Sequence, residues 1–248
     1  MSGGGGCLVS IVIPAFNEEA TVGRTVTAVH LARPEPPGDD LETELLVVDD
    51  GSQDGTSREA WLAGASVIRL PTNGGKARAL EAGFRAASGD LVLCLDADLG
   101  DSAGEAWKLV DQVLSGAGDL VVAGLDGRQG APSGGFGLAT ALARTGIRDL
   151  TGFRAGYPLS GQRALSRRVL RAVLPLSSGW GAEVGMTVDA IWAGLRLVET
   201  PTGMNHRYTG RDWHGFAHRG RQCHDVAWAL WSRGWPVSPW LRATGWRS

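Results

Sequence analysis

Residues 89–99 read GDLVLCLDADL. Five consecutive apolar residues, Leu91, Val92, Leu93, Cys94 and Leu95, stop at Asp96, and Asp98 follows two positions on. A short unbroken apolar run bounded by polar residues marks a strand buried on both faces. Upstream, residues 7–14 form a β-branched apolar run closed by Pro14. Residues 44–48 form another, followed at once by Asp49-Asp50-Gly51-Ser52. Residues 65–70 and 120–123 supply two further strands. Helical spacing fills the intervals. Val22, Val26 and Val29 predict a helix over 18–31, and shorter helices fit 56–63 and 102–114. The stretch 75–87 predicts a helix whose Ala79, Ala82, Gly83 and Ala86 give a thin, close-packing face. Ser102 with Glu105 three residues later reads as a capping box. Strands alternating with helices of this length predict βαβ units, hence an α/β protein with a mainly parallel sheet.

In such sheets ligands bind beyond the carboxyl ends of the strands. The polar clusters Asn17-Glu18, Asp49-Asp50 and Asp96-Ala97-Asp98 all fall there, so one rim is expected to collect carboxylates.

Composition bounds the function. The chain has 248 residues, 24 basic and 26 acidic, with a formal net charge of −2. Nothing in that balance neutralises a run of phosphates, so no nucleic-acid partner is expected. A hydrophobic content of 43% at near-zero charge excludes a disordered chain. Glycine contributes 37 residues, about twice its usual share. Only two of the basic residues are lysines, Lys76 and Lys108, and the rest are arginine. That bias fits a GC-rich coding background, and it draws attention to any position where an ammonium survives. Three widely spaced cysteines make neither a disulfide framework nor a zinc pattern, so a reducing cytoplasm is the simplest compartment. Residues 1–6 lack the features of a secretory signal, and no run of 18 apolar residues predicts a membrane span.

Beyond Ala123 the pattern loosens. Residues 124–137 hold six glycines and one proline and read as a loop, either a plain surface connection or a lid. Helical segments are expected near 162–174 and 183–193, a strand over 195–200, and an amphipathic stretch over 213–231. Six of the ten tryptophans follow Asp212. They suit a closing helix or a homodimer interface better than a peripheral membrane surface, though all three fit the composition.

Two carboxylates in Asp96-Ala97-Asp98 are hard ligands suited to Mg²⁺ or Mn²⁺ held with a diphosphate. The same tripeptide can also be a plain acidic turn, but its place among other acidic rim clusters favours the metal. In the segment Asn73-Gly74-Gly75-Lys76, paired glycines let a backbone approach a ligand. The helix start behind them favours phosphate, to which Lys76 adds a point charge. The spacing is not that of a P-loop. Asp49 or Asp50 can accept from a nucleobase imide or a ribose, or can merely end a strand. Asn17 can cap the first helix, or the stretch Pro14-Ala15-Phe16-Asn17-Glu18 can line a nucleotide pocket.

Taken in order, VSIVIPAFNEE (9–19), LLVVDDGSQDGT (45–56), NGGKARAL (73–80) and GDLVLCLDADL (89–99) resemble the nucleotide-sugar half of family 2 glycosyltransferases. The resemblance implies a GT-A (Rossmann-like) fold, a nucleotide-diphospho-sugar donor, UDP by family frequency, and Mg²⁺ or Mn²⁺. It implies that Pro14, Ala15, Phe16, Glu18, Asp49 and Asp50 surround the nucleotide. Lys76 would lie near the donor phosphates, and Asp96 and Asp98 would serve ribose and metal.

PLSGQRALSRRVL (158–170), GWGAEVGMTVDAIWAGLRLVE (179–199) and MNHRYTG (204–210) are similar to the glucosyl-3-phosphoglycerate synthase subgroup. That likeness implies Glu183 beside the reacting centre, with Asp98, and His206 completing the metal site. Residues 1–123 then form the nucleotide-sugar half, and 124–248 the acceptor half with C-terminal helices of the same domain. The subgroup's acceptor calls for basic residues just before that histidine, whereas this chain has Met204-Asn205, with Arg207 and Arg211 following. Those arginines are expected to hold an acceptor or the diphosphate.

The expected activity is sugar transfer to a small, anionic acceptor, with retention favoured. An inverting enzyme would need a carboxylate base, for which Glu183 and Asp189 are the candidates. Three other readings are an inverting polyprenyl-phosphate glycosyltransferase at a membrane surface, a nucleotidyltransferase, and a non-catalytic sugar-nucleotide binding module. A nucleotidyltransferase opens with a glycine- and arginine-rich loop after the first strand, where this chain has Pro14 to Glu19.

Overall fold

A computed structural model describes residues 6–34, 41–125, 136–205 and 214–236. The expected apolar runs form β1 (Leu8–Ala15), β2 (Glu42–Asp49), β3 (Ser66–Arg69), β4 (Leu91–Cys94) and β5 (Leu120–Leu125). Two more strands, β6 (Arg163–Ser166) and β7 (Leu197–Thr202), complete one seven-stranded sheet in the order β3-β2-β1-β4-β6-β5-β7. Register aligns Ala15 with Asp49 and Asp49 with Arg69. The polar residues after β1 and β2 therefore emerge at one level. All neighbouring strands are parallel except β6, which runs antiparallel to both β4 and β5.

The helices are α1 (Val22–Leu31), α2 (Thr56–Leu62), α3 (Lys76–Ala86), α4 (Trp107–Leu114), α5 (Phe136–Thr151), α6 (Arg167–Val173), α7 (Gly181–Trp192) and α8 (His214–Trp231). One sheet face buries Val9, Ile11, Ile13 and Leu93 against Val22, Val26, Trp107 and Val110 of α1 and α4. The other buries Val12, Val48, Val92 and Val122 against α3, α6 and α7. Gly83 brings α3 close to β1, since a Cβ there would collide with Val12 Cγ1. The buried face of α3 is Ala77, Ala79, Leu80, Gly83 and Phe84, so Ala86 lies outside it. A satellite core joins Ile147 of α5, Val184 and Val188 of α7, and Val226 and Leu230 of α8.

Four local expectations need correction. The first helix begins at Val22 rather than 18, because Asn17 adopts a φ of 55° and residues 16–21 turn. Ser102 and Glu105 form no capping box. A 3₁₀ turn over Gly100–Ala106 leads into α4, Ser102 Oγ donates to Leu99 O, and Glu105 is taken up by Lys108 and the Gly203 amide. The segment expected to be helical over 162–174 starts as strand β6. Its α6 begins only at Arg167, capped by Ser166. Finally, α5 occupies Phe136–Thr151, a stretch with no helix expectation. No helix among the described residues is long and apolar enough to cross a membrane.

Candidate active site

The loops after β1 and β2 are laced together. Asn17 N donates to Ser52 Oγ (2.9 Å), and Gln53 N donates back to Asn17 Oδ1 (2.9 Å). Glu18 N donates to Thr56 Oγ1 at 2.7 Å, and Glu19 N to Asp54 Oδ2 at 3.2 Å. Asn17 is thus a clasp between loops and not a cap on its own helix. Pro14 and Ala15 are buried at the end of β1, while Phe16 is 42% exposed at the rim.

Asp49 and Asp50 are buried and turned to internal duties. Asp49 accepts from Ser52 N at 2.7 Å and from Ser57 Oγ. Burial alone would raise its carboxyl, but these hydrogen bonds and the Arg69 charge outweigh that and hold it below the usual range. Asp50 accepts from Gly74 N at 2.9 Å and Gly75 N at 2.6 Å. It shapes the two-glycine turn ahead of α3, where Gly75 sits at a φ of 87°.

Lys76 opens α3 and reaches across the rim. Its Nζ lies 2.5 Å from Asp96 Oδ1 and 3.1 Å from Glu183 Oε1. The second contact is an ion pair without hydrogen-bond direction, and Glu183 Oε1 accepts no hydrogen bond. Burial alone would lower the Lys76 ammonium; the two carboxylates reverse this and keep it firmly charged. Glu183 sits in the first turn of α7 and is only 1% exposed. The structure thus joins Lys76, Asp96 and Glu183, which are far apart in the chain.

Asp98 stands on the same rim, half-buried. Its turn is pinned by Thr25, whose Oγ1 donates to Ala97 O (2.9 Å) and accepts from Gly100 N (2.9 Å). Glu18 faces this rim. Burial raises its carboxyl, opposed by a hydrogen bond from Thr21, and the charges of Asp98, Asp54 and Asp96 raise it further. The rim is therefore short of positive charge, which suits a hard divalent cation. Among the described residues, no three His, Cys, Asp or Glu side chains are grouped to hold a metal. His206, Arg207 and Arg211 lie outside the described residues. Asn205 exchanges hydrogen bonds of 3.2 Å with Ser102 Oγ, close in sequence to Asp98.

A raised carboxylic acid costs stability where it must ionise, so the penalty is present at neutral pH and fades as pH falls through its folded pKa. Glu18→Gln is expected to raise the melting temperature of the metal-free protein by about 1–2 °C at pH 7. That gain should shrink at pH 4, as thermal denaturation at both pH values will show. A lower melting temperature at pH 7 would refute the crowding of charge at the rim.

Sequence reasoning missed Gln162 and Gly161. Gln162 Nε2 donates to Asp96 Oδ2 at 2.7 Å. A Cβ on Gly161 would meet Lys76 Nζ and lie 3.0 Å from both Asp96 carboxylate oxygens. The expected helix over 162–174 hid Gln162. Asp189 is also clarified. Arg233 grips it in a two-pronged pair, with Nε 2.7 Å from Oδ1, so it ties α7 to the end of α8.

The model of glycosyl transferase family 2 matches residues 10–174, spanning every rim element from β1 to α6. The chain belongs to that family. The glucosyl-3-phosphoglycerate synthase of Mycobacterium tuberculosis H37Rv is 33% identical over 204 residues, 74% of this chain and 61% of that protein. An undecaprenyl-phosphate 4-deoxy-4-formamido-L-arabinose transferase of Aeromonas hydrophila is 30% identical over 219 residues, 85% of this chain and 64% of that one. The chain thus spans less than two thirds of the length of these curated relatives. A solved M. tuberculosis glucosyl-3-phosphoglycerate synthase, in complex with Mn²⁺, UDP and phosphoglyceric acid, superposes with a TM-score of 0.76 at 29% identity. That match covers 94% of this chain and 81% of the other. Another solved form of that enzyme carries Mg²⁺ and UDP, at a TM-score of 0.71 and 29% identity, covering 92% of this chain and 79% of the other. The seven-stranded sheet is that of the GT-A fold.

Proposed function

We propose that this protein is a metal-dependent glycosyltransferase that moves a sugar from a UDP-sugar to a small anionic acceptor with retention of configuration. The observation that carries this reading is the bridge from Lys76 to Asp96 and Glu183, at 2.5 and 3.1 Å, on the carboxyl rim of the sheet. Lys76 is the rim cation ready to meet the donor diphosphate. Asp96 and Asp98 would hold Mg²⁺ or Mn²⁺. Asn205, tied to Ser102, supports His206 as a third ligand, a neutral imidazole beside two carboxylates. A divalent cation bound there would offset the charge of the leaving diphosphate. Pro14, Ala15, Phe16 and Glu18 line the nucleotide, with Asp49 and Asp50 shaping that pocket through the loops they anchor.

Retention is supported by the state of the carboxylates named as inverting bases: Glu183 is ion-paired with Lys76, and Asp189 is committed to Arg233. Glu183 then serves the sugar end of the donor. Residues 1–123 act as the donor half and 124–248 as the acceptor half, joined where Gln162 and Glu183 reach Asp96 and Lys76. Arg207 and Arg211 are assigned to the acceptor's anionic group or the diphosphate. The exposed pair Trp228 and Trp231, with ring centroids 5.0 Å apart, supports self-association through α8.

The test is a panel of nucleotide sugars with Mn²⁺ or Mg²⁺, offered 3-phosphoglycerate or a short polyprenyl phosphate. Metal-dependent UDP release with 3-phosphoglycerate and an α-linked product from a UDP-α-sugar, by NMR, is the expected result. A β-linked product would end the retaining assignment. Transfer to the polyprenyl phosphate alone would favour the reading suggested by the Aeromonas relative. Failure of every UDP and GDP species to bind with metal present would sink the proposal.

A further inference from the structure

Arg163 is the largest fully buried side chain among the described residues, yet it begins a strand between two apolar neighbours. Its guanidinium donates to Ser160 O at 2.8 Å, Pro158 O at 3.3 Å and Thr187 Oγ1 at 3.0 Å. All three acceptors are neutral. Burying a cation against neutral acceptors costs several kcal/mol that an apolar residue would not incur, so the position asks for a reason.

The partners of those acceptors supply one. Thr187 Oγ1 in turn donates a hydrogen bond to the Glu183 main-chain O at 2.9 Å, one turn back on α7. Ser160 Oγ donates to Gln162 Oε1 at 3.2 Å, which fixes the amide so that Nε2 points at Asp96. One guanidinium therefore clamps the first turn of α7, which carries Glu183, and the 158–162 segment, which carries the Asp96 contact. Burial lowers the Arg163 basicity, and Glu183 is first among the charges that oppose this. The ion pair to the Glu183 carboxylate comes from Lys76. Only Lys76 stands at the rim where it can turn to an incoming diphosphate.

We propose that Arg163 is a positioning residue: through Thr187 and the 158–162 segment it holds Glu183 at a fixed separation from Asp96. This rests on the glycosyltransferase reading above, with Glu183 at the sugar end of the donor. A group held too loosely by about 1 Å loses on the order of 100-fold in rate while binding is little changed. The signature is therefore a fall in kcat with the donor KM preserved.

The experiment compares wild type, Arg163→Met, Arg163→Lys and Thr187→Val. It measures steady-state turnover, Mn²⁺-UDP affinity by calorimetry, and the crystal structure of Thr187→Val. Arg163→Met is expected to lower kcat about 100-fold, with donor KM and UDP affinity within about 3-fold of wild type. Arg163→Lys, which keeps the charge, should recover at least about 5-fold of that loss. Thr187→Val, close in shape to the native residue, should lower kcat about 5- to 20-fold and show Glu183 displaced from Lys76. If Arg163→Met does not fold, Thr187→Val decides. Wild-type kcat in Thr187→Val, or equal changes in kcat and UDP affinity across the series, would overturn the assignment. A wild type that turns over no donor sinks the glycosyltransferase reading instead. The Thr187→Val structure then judges Arg163 alone, and an unmoved Glu183 rejects it.

Discussion

Asp98→Ala is expected to abolish Mn²⁺-dependent UDP binding and to cut turnover by about 10³-fold or more. The carboxylate stands on a rim already shared by Asp96 and Glu18, where acid repels acid. Its removal leaves no second oxygen ligand beside Asp96 in that tripeptide. The fold should survive, because Thr25 Oγ1 holds the turn through the Ala97 carbonyl and the Gly100 amide, each at 2.9 Å. The metal-free variant should melt at or slightly above the wild-type temperature, since Glu18 loses a like-charged neighbour. Calorimetry with UDP, with and without Mn²⁺, checks the first statement and a melting scan the second. Undiminished Mn²⁺-dependent affinity would remove the metal role from Asp98.

Lys76→Met carries the other large effect, on stability and turnover together. It strands Glu183, 1% exposed, without its ion-pair partner. Removing one partner of a buried pair costs about 3–5 kcal/mol; Lys76 is 27% exposed, so the low end, about 3, applies. For a chain of this size that is a fall of about 6–12 °C in melting temperature. Turnover should fall about 100-fold or more with a raised donor KM, because a diphosphate contact is lost as well. Adding Glu183→Gln to Lys76→Met should return much of the stability and none of the activity. Such non-additivity is the mark of two groups in contact. Equal melting temperatures for wild type and Lys76→Met would mean that the bridge stabilises nothing.

How much of this was legible beforehand follows from how each element is built. The apolar runs of β2 and β4 stop at acids, and that of β1 stops at Pro14 just ahead of Asn17-Glu18, so a one-dimensional pattern reveals both the strand and its rim. Strand β6 has four residues, opens on a buried arginine and runs straight into α6, so it carries no run at all. Taken as one segment, 162–174 has the spacing of a helix, and the strand at its start is lost in it. Gln162 is hidden for the same reason, and Gly161 shows its closeness to Lys76 and Asp96 only in three dimensions. Ser102 and Glu105 have the spacing of a capping box, but tertiary partners at 203 and 205 outbid the local bonds. Asp49 and Asp50 stand where ligand contacts are expected, yet their carboxylates hold the loops. Sequence placed these residues at the rim; only coordinates show which way a carboxylate faces. Lys76 gains weight from composition, as one of two lysines, and from the paired glycines and helix start beside it; its bridge to Asp96 and Glu183 gives the ammonium a task.

The antiparallel strand β6 also has a consequence for how the chain is made. β4 ends at Cys94, and its partner β6 begins only at Arg163, 69 residues later (163 minus 94). At about 5–20 residues per second of synthesis, that interval lasts about 3–14 s. Through it, the nascent chain presents Leu91, Val92, Leu93 and Cys94 as an apolar open edge, the kind of edge that recruits other strands. The element that brings Gln162 to Asp96 is thus also the one that joins β4 to β5, and it arrives late. Substitutions that weaken β6 should therefore lower the yield of soluble protein in the cell more than they lower the melting temperature of the protein that survives.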